Sequence, residues 1–165
     1  MSQDKLSLSA INKLENTIRE CEKILFLKHD QHEKVLSALR KISVRSGMAI
    51  YSWQAQKGLV NVKSNEAPLP RTKTIFDALK YANNNHYFSV YVFPVKEKAE
   101  ELELKASISS WSNLLEVNEK ARYLFLLPSH GINEYLQRNG QELDLKNKNT
   151  HLYKLRNSIW ILADE

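Results

Sequence analysis

A single three-layer α/β domain, with a mostly parallel sheet of four to five strands and helices on both faces, is the predicted fold of this chain. Short, uninterrupted apolar runs alternate four or five times with amphipathic stretches, the pattern of strands buried on both faces and joined by helical crossovers. The length of 165 residues fits one domain, which typically holds ~100–200 residues. The composition, 42% hydrophobic and 26% charged, is that of a folded globular chain and excludes a disordered one.

The first predicted element is a helix within residues 1–23. Ser9 is its expected N-cap, and Ile11, Leu14, Ile18 and Cys21 share one face at three- and four-residue steps. The core, residues 24–145, opens on the strand Ile24–Leu27. A second helix follows, with Asp30 as cap and Glu33 at capping-box spacing, so that His29 and His32 fall exposed in or near its first turn. Val35, Leu36, Leu39 and Ile42 form its buried stripe, and Gly47 ends it. MAIYSW is the second strand. The stretch after it, carrying Gly58, Asn61, Asn65, Pro68 and Pro70, is the longest predicted loop, of a length that is often functional. Thr74 should cap a third helix, with Asp77 three positions on and Ile75, Ala78, Leu79 and Ala82 facing inward. HYFSVYVFP is the third strand, either central or an exposed edge that could pair with a second copy. A long helix from about Lys96 to Asn118 is expected to bury Ile108, Trp111, Leu114 and Leu115 and to expose Ser107, Ser109, Ser110 and Ser112. RYLFLLP is the fourth strand. A short helix to Gly140 and an edge strand at LDL complete the core. The extension, residues 146–165, is predicted to hold a last helical turn and a final strand, SIWILA.

Three kinds of catalysis find little support. A P-loop needs a glycine-rich turn followed by Lys and Ser or Thr, and Gly47, Gly58, Gly131 and Gly140 supply neither that nor a dinucleotide fingerprint. Asp164 and Glu165 close an apolar run in the manner of an acidic, magnesium-holding strand, but they lack a phosphate cradle to act on. Ser129 and His130 follow the fourth strand without a nucleophile elbow, and Cys21 reads as a small core residue. His29, Asp30 and His32 could hold zinc at the carboxyl end of a strand, which keeps a metal-dependent hydrolase as a third reading, although capping would use the same carboxylate.

Binding is the stronger expectation. There are 24 Lys and Arg against 19 Asp and Glu, a net charge of +5. Lys57, Lys63, Arg71 and Lys73 lie in or beside the long loop, next to Tyr51 and Trp53. Basic and aromatic side chains together can hold a single strand of nucleic acid, so the loop at 54–73 makes nucleic-acid binding the second reading. A single cysteine, no apolar run of ~18 residues and no signal-like start lead to the expectation of a cytoplasmic protein without a membrane span.

The stretch from Ile24 to Leu145 resembles the P-loop-less N-terminal α/β domain of the AAA ATPases first described as a hypothetical chloroplast reading frame. The likeness runs through Leu25, Phe26 and Leu27, then His32, Glu33, Val35, Leu36 and Leu39, then Ile50, Trp53, Gly58 and Leu59, and on through Phe76–Tyr81, Phe88–Pro94 and Tyr123–Pro128. The third strand departs from the family pattern by ending in Phe93, Pro94 and Val95. The resemblance implies a degenerate P-loop-NTPase-like fold and a non-catalytic interaction or adaptor module, with no cofactor and with a protein partner such as a separate ATPase. It gives no residue to carry over; from the residues themselves, binding is expected among Trp53, Lys57, Gly58, Lys63, Arg71, Lys73 and His130, in a crevice lined by the loops His29–Glu33, Trp53–Arg71, Pro94–Lys98 and Pro128–Ile132 at the strand ends.

Overall fold

The computed structural model describes residues 5–20, 24–29, 31–64, 66–111, 118–128, 134–145, 153–156 and 159–162. Cys21, Asp30, Leu114, Leu115, Ser129, His130, Asp164 and Glu165 lie outside the described residues. The elements run α1 (Leu8–Glu20), β1 (Ile24–Lys28), α2 (His32–Ser46), β2 (Ala49–Gln54), β3 (Gly58–Asn61), α3 (Ile75–Asn84), β4 (Ser89–Pro94), α4 (Lys98–Trp111), β5 (Ala121–Leu127), α5 (Glu134–Asn139), β6 (Gln141–Glu142), β7 (Tyr153–Arg156) and β8 (Ile159–Leu162).

The main sheet has six strands in the order β3-β2-β4-β5-β1-β6. Five are mutually parallel, and β3 is antiparallel to β2. The aromatic third strand of the sequence, β4, sits between β2 and β5 and is therefore central. Alternation along each strand sends successive side chains to opposite faces, and the two faces differ in kind. Tyr51, Tyr91 and Tyr123 stand in one register row, and Phe93, Phe125 and Phe26 in the next. This aromatic face packs under residues of α3, α4 and α5. The other face, with Leu25, Leu27, Ile50, Val90, Val92, Leu124 and Leu126, packs under α1 and α2. The result is the three-layer α/β arrangement expected.

Several boundaries follow local chemistry. Thr74 caps α3 as predicted, its Oγ1 accepting the Asp77 amide at 3.0 Å. Gly47, at φ 74°, ends α2 with its amide on the Ser43 carbonyl, a left-handed closure that glycine adopts freely. Asn118 donates to the carbonyls of Ala82 and Asn85 at 2.9 and 2.8 Å, satisfying the end of α3.

Other boundaries differ from expectation. Ser7, not Ser9, caps α1, through a bond from the Ala10 amide; Ser9 is already inside the helix. Of the capping box expected for α2, Asp30 lies outside the described residues, and the helix begins one residue later than that box requires. The cap residue is Gln31 without a side-chain bond, so Glu33 sits at the second helical position and its carboxylate reaches Lys96 at 3.2 Å. Ser107 is buried, its hydroxyl donating to the Glu103 carbonyl one turn back. The predicted loop after β2 begins with a strand: Gly58–Asn61 folds back on β2, pairing Trp53 with Leu59. The terminal edge strand falls on Gln141–Glu142, and the Leu143 amide bonds the Phe26 carbonyl just beyond it. In the extension, 153–156 forms a strand paired antiparallel with 159–162 where a helical turn was expected.

Candidate functional site: a cleft over the strand ends

The chain leaves β1 for α2 on one face of the sheet, while β5 leads to α5 on the other. Neighbouring parallel strands whose connections diverge in this way open a crevice at their carboxyl ends, where α/β sheets bind ligands. Two adjoining clefts occupy this edge. The first, about 610 Å³, is bounded by His29, the first turn of α2, Val95, Lys96 and Pro128. The second, about 490 Å³, lies over the ends of β2 and β4, with Ser52, Trp53, Gln54, Arg40 and Glu100 among its walls. Glu33 and Lys96 line both, and their ion pair forms the divide.

The connection from β1 to α2 decides what the first cleft can do. Only residues 29–31 separate the two elements, and the His29 amide is bonded to the Leu127 carbonyl at 3.0 Å. A phosphate cradle needs a longer turn, about eight residues from first glycine to the Lys-Ser/Thr pair, whose free amides converge on the anion. Here the chain turns directly into the helix.

Of the expected metal set His29, Asp30 and His32, only the two histidines are among the described residues. The Nδ1 of His29 accepts the Gln31 amide at 2.9 Å. His32 is buried, only 5% exposed, with no hydrogen-bond partner at either ring nitrogen among the described residues. It was expected to be exposed; starting α2 immediately over the end of β1 tucks its first side chain between the strand ends. Among the described residues no group of three His, Cys, Asp or Glu side chains is placed to hold a metal ion. Burial holds the His32 pKa below its ordinary value of 6.5; the charges of Lys96 and His29 push the same way, and the Leu127 carbonyl pulls against them.

The sign of the consequence follows from linkage. Below pH 6.5 the unfolded chain binds a proton at His32 that the folded chain resists, so acidification favours unfolding. Urea unfolding at pH 7.5 and pH 5.5 should therefore show a loss of stability in the native chain that His32→Leu reduces. An equal loss in both proteins would mean that His32 titrates normally.

The basic loop residues are arranged differently from a single patch. Lys57 stands in the turn between β2 and β3, while β3 runs antiparallel and carries Lys63 towards the opposite end of the sheet. Arg71 and Lys73 return to the turn, because Thr72 packs against Gly58. All four are exposed. Trp53, by contrast, is buried, with its Nε1 donating to the Lys73 carbonyl at 3.2 Å. Its indole is therefore part of the core on the aromatic face and offers no free face for stacking a base.

Gly58 has a positional role. Its φ is +112°, and a Cβ there would run into Thr72 Oγ1 and lie 3.1 Å from the Thr72 carbonyl carbon. That Oγ1 accepts the Leu59 amide at 2.9 Å and donates to the Leu69 carbonyl at 2.7 Å. The Leu69 amide in turn bonds the Leu59 carbonyl. Trp53, Gly58 and Leu59 thus make a clasp that pins the long connection against the sheet edge. Glu33 and Lys96 fall in stretches expected to line the crevice; Arg40 and Glu100, which also shape it, escaped sequence reasoning because their lining role depends on strand order.

These features define a three-layer α/β domain with a polar cleft at its strand ends and too short a turn there to wrap a phosphate. The chain belongs to the SpoVK-like AAA ATPase N-terminal domain family, whose profile matches residues 10–145. No curated protein matches it. Among the described residues, no helix is long and apolar enough to cross a membrane.

Proposed function

We propose that this chain is a non-catalytic recognition module serving an AAA ATPase, and that the cleft over the strand ends receives a polar segment of a protein partner. The observation that carries the reading is the β1–α2 junction, where three residues and a strand-like hydrogen bond stand in place of a phosphate cradle, beneath a cleft walled by charged and amide side chains. Membership in a family of ATPase N-terminal domains supports it, since such a domain works beside a catalytic module. The narrower kinship with the chloroplast reading-frame group rests on Trp53, Gly58 and Leu59, the clasp residues. A cytoplasmic setting belongs to the same proposal. The nucleic-acid reading is weaker, because Trp53 is buried and Lys63 is carried away from the other three cations.

The test is titration calorimetry of the purified chain against an AAA ATPase module from the same genome, with and without ATP. Binding weakened about tenfold or more by Lys96→Glu, with unfolding curves unchanged, is expected; loss of a central charged contact has effects of this size. Absence of binding by the native chain, binding indifferent to Lys96→Glu, or ATP hydrolysis by the chain alone would each overturn the proposal. Tight capture of single-stranded DNA with a steep salt dependence would replace it with the nucleic-acid reading.

A further inference from the structure

On the layer formed by α1 and α2, a groove of about 570 Å³ runs between the two helices. Ile11 forms its buried floor, while Leu8 and Val44 stand on its walls, 68% and 60% exposed. Both are large apolar side chains left in water, on the face opposite the aromatic layer. Four cations surround them, Lys5, Arg40, Lys41 and Arg45, and among the described residues no carboxylate lines the groove. Arg45 is engaged by Glu15 of α1, and Arg40 gives its Nε to the Val62 carbonyl. Lys5 and Lys41 have no carboxylate partner among the described residues.

We infer that this groove docks an acidic amphipathic helix of a protein partner. A trough between two packed helices matches the ridge of a third. An apolar stripe at three- and four-residue spacing would cover Leu8 and Val44, and flanking Asp or Glu side chains would meet Lys5 and Lys41 at the rim. The concave shape favours a helix over a lipid surface, into which apolar side chains must project. The groove adjoins the strand-end cleft at Arg40, which lines both, whereas Leu8, Val44, Lys5 and Lys41 line the groove and not that cleft.

The probe is a fluorescein-labelled synthetic 18-residue helix with Leu at alternating three- and four-residue steps and Glu at most other positions. A peptide of identical composition with the leucines scattered is the control. Anisotropy titration should show saturable binding of the amphipathic peptide alone, weakened about tenfold by Val44→Glu or Leu8→Glu, as expected for loss of an apolar anchor, and weakened by added salt. Both substitutions are at exposed positions, so native unfolding curves are expected; if one variant unfolds, the other is read. Equal binding of the scattered peptide, or unchanged binding by both variants, would overturn the inference. So would sedimentation with phosphatidylserine vesicles in place of peptide binding, which would mark the face as a membrane contact.

Discussion

Phe125→Ala is expected to remove about 4 kcal/mol of stability, the upper range for a large core side chain. Phe125 lies on β5, paired in register with Phe93 of β4 and Phe26 of β1, and it is wholly buried. Its ring stacks on Phe93 with centroids 5.3 Å apart and planes at 23°. The substitution therefore loses the transfer free energy of the ring, opens a cavity between the sheet and the helices above it, and strips Phe93 of its stacking partner. Neighbouring side chains come from three strands held in ladders, so little collapse into the void can occur. For a domain of this size, where each kcal/mol moves Tm by roughly 2–4 °C, the midpoint should fall by about 10 °C. Leu102→Ala is the matched control. That leucine is 61% exposed on α4, and its loss should stay within about 0.5 kcal/mol. Urea unfolding of both proteins checks the contrast; a Phe125→Ala effect as small as the control's would mean that the aromatic face is not the centre of the core.

That face was legible in the sequence as far as its strands were. Ile24–Leu27, Val90–Pro94 and Tyr123–Leu127 are continuous apolar runs because both sides of a central parallel strand are covered, and their alternation already separates Tyr91 and Phe93 from Val90 and Val92. The inward positions of α3 were legible for the same reason, since Ile75, Ala78, Leu79 and Ala82 recur at helical spacing and Thr74 supplies an unambiguous cap. What was not legible depends on contacts remote in sequence. The strand Gly58–Asn61 is four residues long inside a polar, proline-containing stretch, and it reads as a strand only once Leu59 is known to face Trp53. His32 was placed in solvent because helix spacing says nothing of what lies above the first turn. The actual start at residue 32 brings its ring against the strand ends, where burial shifts its titration. The cleft was anticipated as a location, from the rule that loops at strand carboxyl ends bind ligands. Of its walls, Gln54 and Lys96 fall in stretches the sequence pointed to, whereas Arg40, within α2, comes beside them only through the strand order.

The cleft and the α1–α2 groove give the domain two surfaces of different character. The cleft is polar and mixed in charge, with Glu33 and Lys96 spending part of their charge on each other. The groove is apolar, and of its basic rim Lys5 and Lys41 have no carboxylate partner among the described residues. Two surfaces of such different character are suited to different partners, in keeping with the recognition role proposed beside an AAA ATPase.

The second large effect is expected at Gly58, where alanine should cost roughly 3 kcal/mol. Two terms contribute. A residue with a side chain at φ +112° is strained by roughly 1–3 kcal/mol, and the new Cβ would meet Thr72 Oγ1, which is fixed by its bonds to Leu59 and Leu69. Thr72 is fully buried, so it has little room to move aside. A double-mutant cycle separates the terms. Thr72→Ala alone leaves the buried Leu59 amide unpaired, costing about 1–3 kcal/mol. In that background Gly58→Ala should cost only the backbone strain, because the side-chain obstruction is gone, although the Thr72 carbonyl carbon still lies 3.1 Å from the added carbon. The two substitutions should therefore be non-additive by 1 kcal/mol or more, as expected for residues in direct contact. Strict additivity in urea unfolding would show that Gly58 is required only for its backbone angle. The clasp would then be held by Trp53 and the Lys73 carbonyl, and Trp53→Phe, which removes that donor while keeping an aromatic ring, would become the more damaging change.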